Sequence, residues 1–119
     1  MIKIYLNQFM KGSKKIMYYV YMLRCQDDTI YTGITSDINR RMAEHFSKDK
    51  KSAKYIRSHT AKQIEAVWQC ENRSAASKLE FYIKRLSRNE KEKLINKNEF
   101  NFLCNKINKE DYKIIKLKN

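Results

Sequence analysis

Tyr21, Tyr31, Arg41, His45 and Glu80 are the residues of this chain whose types and spacing could do chemistry together. Two phenols lie ten residues apart, in Tyr19-Val20-Tyr21 and Tyr31-Thr32-Gly33. A guanidinium and an imidazole follow four apart, and one carboxylate comes much later. Tyrosine, arginine, histidine and one carboxylate are the parts needed to cut a phosphodiester with a single divalent metal. Arg41 and His45 project from one face of a helical run. A core-facing side does not suit an arginine without an anionic partner, whereas Arg40 rotates outward. Glu80 is four after Ala76 and three before Ile83, so it shares the apolar side of its helix. A buried carboxylate is costly uncompensated, so Glu80 requires Arg41, a lysine or a cation. One reading is a salt bridge with Arg41. The other is a magnesium ligand, a hard oxygen whose partners are waters and a phosphate oxygen. Each residue also has a plainer reading: tyrosines are good strand formers, and a lone histidine is often a satisfied half-buried one.

The elements that must position these groups are read from changes of period, because proline is absent and glycine occurs only at Gly12 and Gly33. Residues 18–25 are apolar on both faces, as in a central strand. Gln26-Asp27-Asp28 makes a turn into a second strand over residues 29–35. A three-residue loop pairs Cys25 with Thr29, Leu23 with Tyr31 and Tyr21 with Gly33. Tyr21 and Tyr31 are then diagonal neighbours on one face, and Gly33 leaves room for a phosphate to approach. The third loop residue, Asp28, needs a positive φ. Ser36 or Asp37 caps a helix over residues 38–48, with Ile38, Met42, His45 and Phe46 facing the sheet. A short helix over 52–59 follows, then a third strand over 63–70 at or near an edge. Ser74 caps a long helix through residue 87, with Ala76, Leu79, Ile83 and Leu86 inward, and a further helix covers 89–97. Residues 1–16 alternate weakly at Ile2, Ile4 and Leu6. The last twenty residues mix Phe100, Phe102, Leu103, Tyr112, Ile114, Ile115 and Leu117 with lysines; they add to the core, pair with another chain or stay loose. The order predicts an α+β domain with a small antiparallel sheet covered by helices.

At 119 residues the chain suits one compact domain. Its 42% hydrophobic and 12% aromatic content argues against general disorder. No apolar run approaches a membrane span. No apolar leader with a small-residue cleavage site opens the chain. Cys25, Cys70 and Cys104 are odd in number and widely spaced, which suits reduced thiols in a cytoplasmic protein better than a disulfide framework or a zinc site. Lysine and arginine number 26 against 13 acidic residues, a formal charge of +13. Such an excess favours a polyanion, most often nucleic acid; an anionic membrane surface or a lysine-rich composition with no binding role are the alternatives.

Tyr19-Val20-Tyr21, Tyr31-Thr32-Gly33, Arg41 and His45 in NRRMAEH, and Glu80 in KLEFYIKRL together resemble the GIY-YIG nuclease superfamily. The run YVYMLRCQDDTIYTGITSDINRRMAEH, then AKYIRSH, then IKRLSRNEKEKLI is similar to its small stand-alone bacterial members. The resemblance covers residues 17–96. It divides the chain into an N-terminal extension (1–16), a nuclease-like domain (17–97) and a C-terminal extension (98–119). It implies a three-stranded antiparallel sheet flanked by helices and a metal-dependent DNA endonuclease. Glu80 would then hold Mg²⁺ or Mn²⁺, Tyr21 would take a proton from the attacking water with help from Arg41, the metal or His45, Tyr31 would orient phosphate or water, and Arg41 would neutralise developing charge. Arg40, Lys54, Arg57, Lys84 and Arg85 are the candidate backbone contacts. The chain departs from the pattern in two places: Tyr19-Val20 replaces the first Gly-Ile pair, and Asp28 stands where similar proteins often have glycine. The rival expectations are a non-catalytic nucleic-acid-binding module and a protein–protein adaptor using the tail hydrophobes.

Overall fold

A computed structural model of the chain describes residues 3–4, 15–47, 51–97, 100, 103 and 105–118. The predicted hairpin forms from β2 (Tyr18–Cys25) and β3 (Ile30–Thr35), following a short β1 (Lys3–Ile4). Its register pairs Tyr21 with Gly33 and Leu23 with Tyr31, as the loop length requires. The Cys25 N–H donates to the Thr29 carbonyl at 2.9 Å, and Asp28 N–H returns to the Cys25 carbonyl at 2.9 Å. Asp28 takes φ 69°, a left-handed conformation that aspartate tolerates better than most side chains. Arg88 and Arg24 hold its carboxylate at 3.0 and 3.3 Å.

β4 (Ala61–Cys70) pairs antiparallel with the other side of β2, and β5 (Lys113–Ile114) pairs with β4. The sheet therefore has four strands in the order β3-β2-β4-β5, not three, and β4 is internal where β5 covers it. The added strand is two residues long, pairing Trp68 with Ile114 and Gln69 with Lys113. That is too short to show an alternation among lysines. β6 (Leu117–Lys118) pairs with β1 as a separate ribbon.

Among the described residues, four α-helices cover the four-stranded sheet. α1 (Ile38–Phe46) is capped by Asp37, whose side chain accepts the Arg40 N–H at 3.2 Å. α2 (Lys54–His59) is short and has no side-chain cap. α3 (Arg73–Lys84) starts earlier than its serine suggested: Asn72, not Ser74, accepts the Ala75 N–H at 2.7 Å. It also ends before residue 87, closing with a Leu86 N–H to Ile83 carbonyl bond of 3.0 Å. α4 is Arg88–Lys97.

The strand alternation splits the core in two. Tyr19, Tyr21, Leu23 and Cys25 face Ile38, Met42 and Ile56 of α1 and α2. Val20, Met22, Ala66 and Trp68 face Ala76, Leu79, Ile83 and Leu94 of α3 and α4. Leu103, Ile107 and Tyr112 complete this second layer. The tail hydrophobes are thus largely spent on the chain's own core. Tyr112 also donates its hydroxyl to the Ala75 carbonyl at 2.7 Å. Cys25 and Cys70 are free and buried. No helix among the described residues is long and apolar enough to cross a membrane. The expectations for Ile2, Leu6, Gly12, Lys48, Phe102 and Cys104 lie outside the described residues.

Candidate active site

β2 points Tyr21 at α1, where the helical stripe places His45. Both side chains are about 1% exposed, and the Tyr21 hydroxyl lies 2.8 Å from His45 Nε2. Gly33, opposite Tyr21, makes this possible: a Cβ there would stand 2.5 Å from the phenol oxygen and 2.7 Å from Cζ. The space above Gly33, expected to admit a phosphate, is filled by the chain's own phenol. Tyr31 lies two residues earlier on the same face of β3, partly buried. Its ring is 6.1 Å from Tyr21 and 5.8 Å from His45, centroid to centroid. Arg41, one turn before His45, donates from one guanidinium nitrogen to Glu44 Oε1 at 2.9 Å and to the Lys51 carbonyl at 2.6 Å. Its guanidinium is close enough to the Tyr21 phenol for its positive charge to favour the ionised phenol.

Burial sets the protonation of the central pair. It raises the Tyr21 phenol well above its ordinary value, and neighbouring Tyr31 adds to the rise while Arg41 opposes it. Burial also lowers His45 to about 4; the positive charge of Arg41 adds to this and Glu44 opposes it. At neutral pH the site therefore holds an uncharged phenol and an uncharged imidazole sharing one hydrogen bond. His45 Nδ1 is buried without a partner, so the imidazole is oriented through Nε2 alone. The pair is arranged to pass a proton between an oxygen and a nitrogen beside a fixed positive charge.

Glu80 is not part of this cluster. It sits on α3, which packs against β2 and β3 from the opposite side of the sheet. Its carboxylate is 23% exposed and pairs with Lys84 at 3.3 Å. The carboxylate partner of Arg41 is Glu44, so the salt bridge considered between Arg41 and Glu80 is not formed. Among the described residues there is no group of three or more His, Cys, Asp or Glu suited to a metal. Glu80 suits Mg²⁺ or Mn²⁺ by donor type, being a hard oxygen with solvent access, but waters and substrate oxygens must supply the rest of the shell.

The candidate backbone contacts divide between the two sides. Arg40 on α1 and Lys54 and Arg57 on α2 are exposed on the helices that cover the phenols. Lys84 is tied to Glu80, and the Arg85 guanidinium lies 4.2 Å over the exposed Phe81 ring.

Three further groups at the site were not singled out by the spacing argument. Glu44 sits three residues after Arg41, a helical ion-pair spacing. Tyr55 stacks on Tyr31 with centroids 5.7 Å apart, and His59 stacks on Tyr55 at 4.0 Å. Tyr55 and His59 are four apart on α2, so the pattern was present, but nothing in it showed that α2 abuts β3.

A family model described as the GIY-YIG catalytic domain matches residues 17–96. The chain is 48% identical over 80 residues to a UPF0213 protein of Fusobacterium nucleatum, covering 67% of this chain and 78% of that one. It is 42% identical over 78 residues to a UPF0213 protein of Natronomonas pharaonis, covering 66% and 89%. It is also similar to the solution NMR structure of a UPF0213 protein from Bacillus halodurans, with 39% identity, a TM-score of 0.45, and coverage of 67% and 83%. The paired tyrosine strands, the Arg41–His45 helix and the family match over the same residues lead to one assignment: this chain belongs to the GIY-YIG catalytic-domain family.

Proposed function

We propose that the protein is a divalent-metal-dependent endonuclease that hydrolyses phosphodiester bonds in DNA, with structure selectivity or low sequence specificity. The observation that carries this reading is the buried 2.8 Å bond between the Tyr21 hydroxyl and His45 Nε2, beside Tyr31 and Arg41. A phenol held neutral by burial is a poor base unless its own proton has somewhere to go. With the imidazole proton on Nδ1, the phenol donates to Nε2. As an attacking water passes a proton to the Tyr21 oxygen, the phenol proton passes to His45, and Glu44 favours the imidazolium that forms. The water oxygen bonds to phosphorus as the ester P–O bond breaks. Arg41 neutralises charge building on the non-bridging oxygens, and Tyr31 orients the phosphate. Glu80, which makes no contact with the Tyr21–His45 pair, would hold Mg²⁺ or Mn²⁺ for the same phosphate only if the substrate wraps the edge strand β3 to meet both faces of the sheet; the metal would then supply polarisation of the phosphoryl group and charge for the leaving oxygen. Arg40, Lys54 and Arg57 would steer the backbone onto the face of α1 and α2. A domain this small has little surface for reading sequence, which supports structure-selective or low-specificity cutting.

A second reading has its own support. Arg41 and Glu80 are each already paired within the chain, as a non-catalytic nucleic-acid-binding module would have them. The two readings separate on one assay. Wild type, Glu80→Ala, Arg41→Ala and Tyr21→Phe are incubated with branched, nicked, single-stranded and duplex DNA and RNA, with Mg²⁺, Mn²⁺ or chelator. The nuclease reading expects metal-dependent cutting that the first two substitutions abolish and the third severely reduces. Equal cutting by wild type and Glu80→Ala refutes the metal role, and salt-sensitive binding with no cutting of any substrate establishes the module.

A further inference from the structure

We infer that Tyr55 is a positioning residue for Tyr31, itself held in place by His59 and Asp27; its catalytic consequence rests on the nuclease reading above. Tyr31 lies on an edge strand and is only partly buried, so backbone pairing alone does not fix its ring. Tyr21 and His45 pack on one side of it and Tyr55 on another, with the Tyr31 and Tyr55 planes 27° apart. His59 lies on Tyr55 with an interplanar angle of 18°.

His59 is fixed in turn. Its Nδ1 bonds to Asp27 Oδ2, and the other Asp27 oxygen accepts both the N–H and the hydroxyl of Thr29. A second tie runs alongside, from the Gln26 N–H to the Thr60 carbonyl at 2.8 Å. The hairpin loop thus clamps the end of α2, a six-residue helix with no side-chain cap. From Asp27 through His59 and Tyr55 to Tyr31 there is a continuous row of bonded or stacked groups. The row connects the hairpin loop, by way of α2, to the phenol near the start of β3.

Tyr55 is 36% exposed, which would also suit a ledge for a nucleobase. The two stacked neighbours argue otherwise. Rings already lie against it at 5.7 and 4.0 Å, so its stacking surface is engaged within the chain. What the ring offers is contact with Tyr31, an interaction of faces in which the Tyr55 hydroxyl has no part.

The test uses the full chain with labelled tyrosine rings, the Tyr31 resonances being assigned from a Tyr31→Phe spectrum. It also measures kcat and KM on whichever DNA the wild type cuts. Tyr55→Ala is expected to move the Tyr31 resonances and lower kcat about tenfold, with KM within about threefold. His59→Ala, which keeps Tyr55, shifts the same resonances less and covers the case in which Tyr55→Ala fails to fold. Tyr55→Phe is expected to preserve both the resonances and kcat. Unmoved Tyr31 resonances in both alanine variants would overturn the inference. So would a change confined to KM, which would make Tyr55 a substrate contact, or a Tyr55→Phe variant as impaired as Tyr55→Ala. If the wild type cuts nothing, the nuclease reading falls, while the nuclear Overhauser contacts between the Tyr31 and Tyr21 rings, which loss of the Tyr55 ring current does not itself change, still decide whether Tyr55 positions Tyr31.

Discussion

Tyr21 and His45 are kept uncharged by the same burial that brings them together, and this has a measurable signature in stability. His45 is lowered to about 4 in the folded chain, against about 6.5 for a free imidazole. Between those values the unfolded chain binds more protons, so stability is fully present above pH 6.5 and falls as the pH drops towards 4. The carboxylates with lowered values, Glu92 and Asp27 at about 2, lose their contributions as the pH falls from the ordinary carboxylate value of about 4 towards 2. The window from pH 6.5 to 4.5 therefore isolates His45. Denaturant melts should show a loss of about 2 kcal/mol between pH 7 and pH 5, largely absent in His45→Gln. Gly33 supplies a second test at this scale. A methyl at Gly33 collides with the Tyr21 phenol, so Gly33→Ala is expected to cost about 1–3 kcal/mol by overpacking and to break the Tyr21–His45 bond. A variant as stable as wild type with unchanged Tyr21 ring resonances would show that the phenol can sit elsewhere. Tyr21, Tyr31 and His45 were legible as a cluster because strand alternation and helical spacing fix which face a residue takes. The Arg41 partner was not: a long-range carboxylate was sought, and the helix supplied Glu44 three residues on.

Elements that repeat a period over several residues were the ones legible in the chain. The β2–β3 register followed from a three-residue loop, and α1 from its cap and apolar stripe. β5 escaped because two residues cannot show an alternation. The start of α3 was misplaced because Asn72 and Ser74 are both good caps, and either start leaves Ala76, Leu79 and Ile83 on one face, so the apolar stripe does not choose between them. Side-chain ties between distant elements were also beyond reach. Arg24 on β2 is the main case, bonding Glu65 of β4 at 2.7 Å and both oxygens of Glu92 on α4 at 2.6 Å. Arg24 and Glu65 are only 12% and 13% exposed. Removing the guanidinium leaves the poorly solvated Glu65 carboxylate without its counter-charge and cuts the tie from β2 to Glu92, which keeps Arg88 at 2.9 Å. Arg24→Ala is thus expected to destabilise by about 3 kcal/mol, with α4 amides exchanging faster than those of β2. Loss of stability without faster α4 exchange would mean that α4 is held by Leu94 and its neighbours, not by the ion pairs.

For the whole molecule, the question is where the folding unit ends. The family match stops at residue 96, yet Leu103, Ile107, Tyr112 and Ile115 beyond it are all buried. Phe100 packs on Trp68 with centroids 5.7 Å apart, and β5 pairs with the strand that carries Trp68. Burying a large apolar side chain contributes about 1.5–3 kcal/mol, and a domain's entire stability is about 5–15 kcal/mol. Four such residues therefore contribute on the same scale as the whole margin. Their removal would also expose Trp68 and leave β4 an open edge, a site for pairing with other chains. Deleting residues 98–119 should leave a chain that melts at much lower temperature or aggregates, and Trp68 fluorescence should shift to the red. Were the shortened chain to keep its melting temperature and its Trp68 emission, both core layers would be complete without the tail. The four residues would then be a covering, and the self-sufficient unit would end with α4.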